Sequence, residues 1–177
     1  MRAIFKSLAV GSLAAAPLLF LAGPAHAFTN VSVARGTLTI TSGNAADNIT
    51  VSRSGSFITI ANPSDAPLPS GPCTRSGNLV RCPAGSIARL VISTGNGSDL
   101  VNNTTTLPAT VNLGAGFDTY NGGSGRDVVN GGAGQDTLNG FGGDDILDGG
   151  ADSGDRANGG AGTDVCRAES ETACERD

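Results

Sequence analysis

Tryptophan is absent from this 177-residue chain, and lysine, histidine, methionine and tyrosine each occur once, at Lys6, His26, Met1 and Tyr120. Three of those four singletons fall in one N-terminal stretch. There, Arg2 and Lys6 precede an apolar run from Leu8 to Ala22, and Ala25-His26-Ala27 supplies an A-x-A cleavage signature. This is the arrangement of a secretory signal peptide. A membrane anchor fits less well, because the run is short, is broken by Ser12 and Pro17, and ends in the processing site. Residues 1–27 are therefore expected to be removed, and the mature chain, starting at Phe28, to be secreted. That mature chain has no Lys, His, Met or Trp. Without His there is no H-E-x-x-H metalloprotease motif, and with no C-x-x-C either, zinc has no ligand set. No second apolar run reaches membrane-spanning length, so no transmembrane segment is expected in the mature chain.

Positive charge is scarce as well. The 150 mature residues carry nine Arg against sixteen Asp and Glu, a formal charge of −7. Fourteen of those acids lie from Asp99 onward beside four Arg, which gives that half −10. Such a field repels nucleic acid and anionic lipid and attracts cations. The length suits one domain. Four cysteines in an exported chain read as two disulfides. Their spacing suggests Cys73 with Cys82 and Cys166 with Cys174, although four cysteines allow three pairings.

What the chain has in excess is glycine held in phase. Between Leu113 and Arg167 it divides into LGAGFDTYN, GGSGRDVVN, GGAGQDTLN, GFGGDDILD, GGADSGDRAN and GGAGTDVCR. Each block has an Asp at its sixth position when aligned from the C-terminal side: Asp118, Asp127, Asp136, Asp145, Asp155 and Asp164. The fifth block has one extra residue. An outlying copy, GNGSDLVN, puts Asp99 in the same frame, and a degenerate one, GNAADNIT, puts Asp47 there. From Gly114 to Gly162 there are seventeen Gly, but the period is nine rather than the three of collagen. A flexible linker would explain the glycine, though not an Asp and an apolar residue kept in step. The apolar eighth positions are Val101, Tyr120, Val129, Leu138, Leu147, Ala157 and Cys166, which predicts a thin stacked core. Val128, Ile146 and Val165 at the seventh position predict an outer strip.

Residues 28 to 112 have a different texture. VSVARGTLTITS, NITVSRSGSFITIAN and ARLVIST alternate apolar and polar residues and are rich in Val, Ile and Thr, as strands are. Pro63 to Pro72 predicts a loop, and Ser76-Gly77-Asn78 a hairpin tip between Cys73 and Cys82. The expected fold is all-β: a C-terminal parallel β-roll or β-helix solenoid continuous with an N-terminal β-strand region. The organisation that follows is a signal peptide at 1–27, a β-rich region at 28–94, a roll at 95–167 and a cap or tail at 168–177.

GGSGRDVVN, GGAGQDTLN and GGAGTDVCR resemble RTX, or haemolysin-type, calcium-binding repeats. The wider layout, with its Cys-bracketed hairpin and acidic Cys-containing tail, resembles small secreted bacterial calcium-binding proteins. The spacing has a physical reading of its own. Six residues of turn and three of strand make half a rung, so eighteen residues return the chain to the same side one strand further on. The Asp series then splits into two columns, Asp99, Asp118, Asp136 and Asp155 in one and Asp127, Asp145 and Asp164 in the other. Strands stack about 4.8 Å apart and Ca²⁺ sits about 2.4 Å from its oxygens, so an ion between two turns is expected to reach both carboxylates. Gaps between neighbours allow up to about five calcium ions. Because Ca²⁺ takes six to eight oxygens, turn carbonyls must contribute too. The resemblance implies that these come from Gly114 and Gly116, Gly122, Gly123 and Gly125, Gly131, Gly132 and Gly134, Gly140 and Gly143, and Gly159, Gly160 and Gly162. Leu113 and Phe141, where glycine is expected, and the insertion around Asp152 to Gly154 depart from the pattern.

The expected function is that of a secreted, non-enzymatic calcium-binding protein whose roll folds on Ca²⁺, with an extracellular polysaccharide or cell surface as its partner. The alternative is a calcium-dependent polysaccharide-modifying enzyme of lyase or epimerase type, or its accessory module. That chemistry calls for a group such as Tyr, His or Lys beside the sugar carboxylate, and Tyr120 falls in a core position. A calcium-dependent ice-binding surface would need Thr and Asn in the turns, where Ser124, Ala133, Arg126 and Gln135 stand instead.

Overall fold

A computed structural model describes residues 29–175. The expected signal peptide at 1–27, Phe28 and the last two residues lie outside the described residues. The alternating N-terminal segments form β1 (Asn30–Ala34), β2 (Thr37–Thr41), β3 (Asn48–Ser54), β4 (Phe57–Ala61), β5 (Leu68–Pro69), β6 (Thr74–Ser76) and β7 (Leu79–Pro83). The solenoid continues as β8 (Arg89–Asn96), β9 (Leu100–Asn103), β10 (Ala109–Ala115), β11 (Thr119–Asn121), β12 (Asp127–Ala133), β13 (Thr137–Gly142), β14 (Ile146–Ala151), β15 (Arg156–Ala161), β16 (Val165–Arg167) and β17 (Ser170–Thr172). Among the described residues no helix is long and apolar enough to cross a membrane.

The strands fall into two sheets. One runs β16-β14-β12-β10-β8-β2-β1-β5, the other β17-β15-β13-β11-β9-β3-β4-β7-β6. Along the solenoid the chain crosses from one sheet to the other at every half rung, so neighbours within a sheet are parallel. The ladder is in register by repeat position: Val111 faces Val129, Val129 faces Leu147, and Leu147 faces Cys166. Opposite them, Val101, Tyr120, Leu138 and Ala157 stack in the second sheet. These eighth-position residues are buried, Cys166 only partly. Burying a side chain such as Leu147 contributes about 1.5–3 kcal/mol, and Ala157 much less, so the core thins toward the C-terminus. Val128, Ile146 and Val165 line up on the outer face of the first sheet.

The parallel ladder begins earlier than the glycine repeats do. β2 pairs with β8 and β3 with β9, both parallel, which makes 37–54 the first rung. Both sheets then switch to antiparallel pairing. β1 folds back on β2 through Arg35-Gly36, and β4 on β3 through Gly55, with β7 and β6 following. The proline stretch contains a short strand that the sequence does not announce, β5, parallel to β1. Cys73 and Cys82 are joined across the β6–β7 hairpin, whose two-residue tip is Gly77-Asn78. Cys166 and Cys174 are joined at the other end.

Candidate metal centre

Every repeat Asp leads into a strand from the turn that crosses between sheets, and its side chain points back between the two sheets. Asp99, Asp118, Asp127, Asp136, Asp145, Asp155 and Asp164 are each at most 2% exposed. Their burial follows from the stacking. One carboxylate oxygen, Oδ1, accepts a hydrogen bond from the backbone N–H of the residue at the same position one rung earlier. In the first column Asp47 donates to Asp99 and Asp99 to Asp118, both at 2.8 Å, then Asp118 to Asp136 at 2.9 Å and Asp136 to Asp155 at 2.8 Å. In the second, Ala109 donates to Asp127 at 2.9 Å, Asp127 to Asp145 at 2.7 Å and Asp145 to Asp164 at 2.8 Å. The two columns expected from the spacing are thus present, and Asp47 extends the first. Within each carboxylate the two oxygens divide the work: Oδ1 holds the rungs together and Oδ2 is left.

That second oxygen is the unusual feature. Oδ2 of Asp99, Asp118, Asp136, Asp145 and Asp164 is buried with no hydrogen-bond partner. Leaving a buried acceptor unpaired costs about 1–3 kcal/mol, and more when it is charged. Burial pushes the Asp118 and Asp145 carboxyls up to about 6 despite their backbone hydrogen bonds. It raises Asp99, Asp127 and Asp136 in the same direction. A bound cation relieves such groups, and so does a proton.

Two of the Asp are relieved by hydroxyls instead. Tyr120, fully buried, donates its hydroxyl to Asp127 Oδ2 at 2.8 Å. In the first rung Ser42 donates to Asp47 Oδ2. At the position equivalent to Ser42 one rung on, Thr94 donates to the Leu113 carbonyl at 2.6 Å. These residues escape the glycine motif, but a hydroxyl at the first repeat position is a signal that the sequence carries.

The glycines divide by what faces them. A Cβ on Gly131 would lie 2.3 Å from Asp136 Oδ2 and 2.5 Å from the Gly149 carbonyl oxygen, one rung on. On Gly140 it would lie 2.2 Å from Asp145 Oδ2 and 2.7 Å from the Gly159 oxygen, and on Gly122 it would lie 2.4 Å from the Gly140 oxygen and 2.7 Å from Asp127 Oδ2. At these three first positions, then, a carboxylate oxygen and a carbonyl oxygen of the next rung flank a space that any side chain would fill. These are hard oxygen donors of the kind Ca²⁺ takes, and the fit needs the carbonyls. Among the described residues no three His, Cys, Asp or Glu side chains group to hold a metal by themselves.

Second- and fourth-position glycines instead face the previous rung. A Cβ on Gly114, Gly116, Gly123, Gly132, Gly134, Gly143, Gly160 or Gly162 would stand 1.7–2.6 Å from a carbonyl oxygen there. Gly125 faces the Leu107 carbonyl carbon at 2.7 Å. These residues let turn backbones stack in contact. Gly132, at φ 116°, also needs a conformation that other residues avoid. Phe141 departs from this pattern: at φ 69° it takes the left-handed region and leaves its ring 59% exposed. In the insertion, Asp152 at φ 83° accepts a hydrogen bond from Gly134 N–H, and the three atoms nearest a Cβ on Gly149 all belong to Asp155.

Residues 121–155 match the family model of the RTX calcium-binding nonapeptide repeat, in four copies. No curated protein and no solved structure matches the chain. The matched segment therefore carries repeats of calcium-binding type, stacked as a β-roll.

Proposed function

We propose that the protein is an exported, non-enzymatic calcium-binding module whose roll folds when Ca²⁺ enters the two Asp columns. One observation carries the reading: five buried carboxylate oxygens without partners. Asp99, Asp118, Asp136, Asp145 and Asp164 supply the charge, and the turn carbonyls, those of Gly149 and Gly159 among them, supply the remaining oxygens. Two disulfides and the N-terminal signal pattern support export to an oxidising, calcium-rich compartment. Extracellular calcium modules bind at about 10⁻⁴ to 10⁻³ M, which keeps such a chain loose until it leaves the cell. Far-UV circular dichroism of the mature chain in EDTA should lack the β signal that millimolar Ca²⁺ restores. An unchanged spectrum in EDTA would sink the reading.

Burial of Tyr120 and the bond from its hydroxyl to Asp127 support a non-enzymatic role, since the one tyrosine is already committed. For a partner we favour an extracellular polysaccharide or a glycan-bearing cell surface. On the second sheet Asn139 donates to Asn121 and Asn121 to Asn102, both at 2.9 Å, which fixes a half-buried row of amides. Asn102 and Asn121 line an open cavity of about 510 Å³ together with the exposed Phe141. Amides that hydrogen-bond hydroxyls beside an aromatic face suit a sugar ring. On a glycan array, sugar binding should appear with Ca²⁺ and vanish with EDTA. Turnover of an acidic polysaccharide would instead favour the enzyme alternative.

A further inference from the structure

The roll does not end at its last glycine repeat. Beyond β16 and β17 the tail returns, and residues with no place in the nonapeptide pattern take over the positions of a further turn. Thr172 pairs with Asn158, which puts Ala173 level with Gly159. Ala173 sits at φ 48°, in the left-handed region. A Cβ on Gly159 would lie 2.3 Å from the Ala173 carbonyl oxygen and 2.5 Å from Asp164 Oδ2. This repeats the arrangement at Gly131 and Gly140, with an alanine carbonyl in place of a glycine one. Glu175 completes the copy. Its backbone pairs with Val165, one residue past the Asp position, and its longer side chain reaches back to accept the Asp164 N–H. In the rung before, Asp164 Oδ1 accepts the Asp145 N–H in the same way. Asp164 is fully buried and its Oδ2 has no partner.

We infer that the C-terminal loop builds a terminal site for a hard divalent cation of the Ca²⁺ type. Its ligands are Asp164 Oδ2, the Ala173 carbonyl and the Glu175 carboxylate. The site lies outside residues 121–155, and two of its three ligands come from a segment that is not a repeat. The Cys166–Cys174 disulfide spans this loop and ties it to the last repeat strand, so the disulfide is an assembly condition for the site. The inference rests on the proposed calcium reading of the columns, and it adds a redox dependence to it. With the disulfide open, no cross-link holds Ala173 and Glu175 over Asp164, whereas the sites between complete repeats keep all their donors.

The test is the number of ions bound by the full mature chain at saturating Ca²⁺, measured by equilibrium dialysis and metal analysis. Four chains are compared: wild type, Glu175→Gln, the double variant Cys166→Ser with Cys174→Ser, and Asp65→Ala as a control from the proline loop. Glutamine retains an oxygen that accepts the Asp164 N–H, so Glu175→Gln removes charge and leaves the ladder able to form. Circular dichroism in Ca²⁺ monitors folding in each. We expect Glu175→Gln and the double variant each to bind one ion fewer than wild type with the β spectrum retained, and Asp65→Ala to match wild type. Equal counts in wild type and Glu175→Gln would overturn the terminal site and leave the columns intact. If wild type bound no calcium at all, the column reading would fall and the terminal site with it.

Discussion

At the scale of single residues, the contest inside the roll is between three ways of satisfying a buried carboxylate oxygen: a hydroxyl, a proton or a cation. Asp127 shows the first. It sits in the same column as Asp145 and Asp164, one rung earlier, and a Cβ on Gly122 finds the same pair of oxygens that Gly140 and Gly131 do. Yet its Oδ2 is not an orphan, because Tyr120 fills the place from the core side. Tyr120→Phe removes that one hydroxyl and keeps the ring that stacks between Val101 and Leu138. Left without a partner, the Asp127 oxygen would cost about 1–3 kcal/mol, the penalty of an unsatisfied buried acceptor. At saturating Ca²⁺ the variant is therefore expected to bind one ion more than wild type, since Asp127 then resembles its neighbours. Equilibrium dialysis with metal analysis counts the ions. A count equal to that of wild type would show that the hydroxyl does not stand in for a cation.

At the scale of elements, legibility tracked how local each signal is. The eighth-position residues and the Asp frame are set by a strict period, and Tyr120, Val129, Leu138 and Leu147 are buried and in register as that period requires. The β6–β7 hairpin could be read from Cys73, Cys82 and the Gly77 tip, because a short loop leaves few alternatives. The first rung was harder. β2 and β3 carry no glycine repeat, and GNAADNIT hints at Asp47 without showing that Ser42 takes the role of the ion there. The short strand at Leu68–Pro69 depends on β1, where Asn30 lies opposite Leu68 thirty-eight residues away, and on the Leu68 N–H donating to the carbonyl of Thr29 just before that strand, which no local pattern encodes. Least visible was the tail. AESETACE reads as an acidic cap, and only the stacked geometry shows Glu169 and Glu175 accepting the N–H groups of Asp155 and Asp164. The longer side chain lets Glu175 serve from one residue past the Asp frame, so a search for Asp at the sixth position passes over it.

At the scale of the whole molecule, the acidic half and the thin core set how folding should depend on pH. A chain half of formal charge −10, with about a third glycine from Gly114 to Gly162, gains little from burial and loses much ordering entropy, so the metal-free roll is expected to be marginal at neutral pH. Burial raises the carboxyls of Asp118 and Asp145 from an ordinary value of 3.8 to about 6, and those of Asp99, Asp127 and Asp136 in the same direction. A raised folded pKa means that the folded state holds protons the unfolded state has released. The resulting stability is fully present below about 3.8 and is lost as pH rises through about 6. In EDTA, lowering the pH from 7 toward 4.5 should therefore increase the β content, protons taking part of the place of calcium. With Ca²⁺ present the dependence reverses. Protons then compete for the same oxygens, so the calcium concentration at half-folding should rise as pH falls through that window. Glu169 opposes the trend at the acid end, since hydrogen bonds from backbone N–H groups, that of Asp155 foremost, hold its carboxyl below the usual range. What it contributes is lost as pH drops through that lowered value. Circular dichroism across this range, in EDTA and at several fixed calcium concentrations, measures both branches. A metal-free β signal that only declined from pH 7 downward would show that the buried carboxylates are not what keeps the apo chain loose.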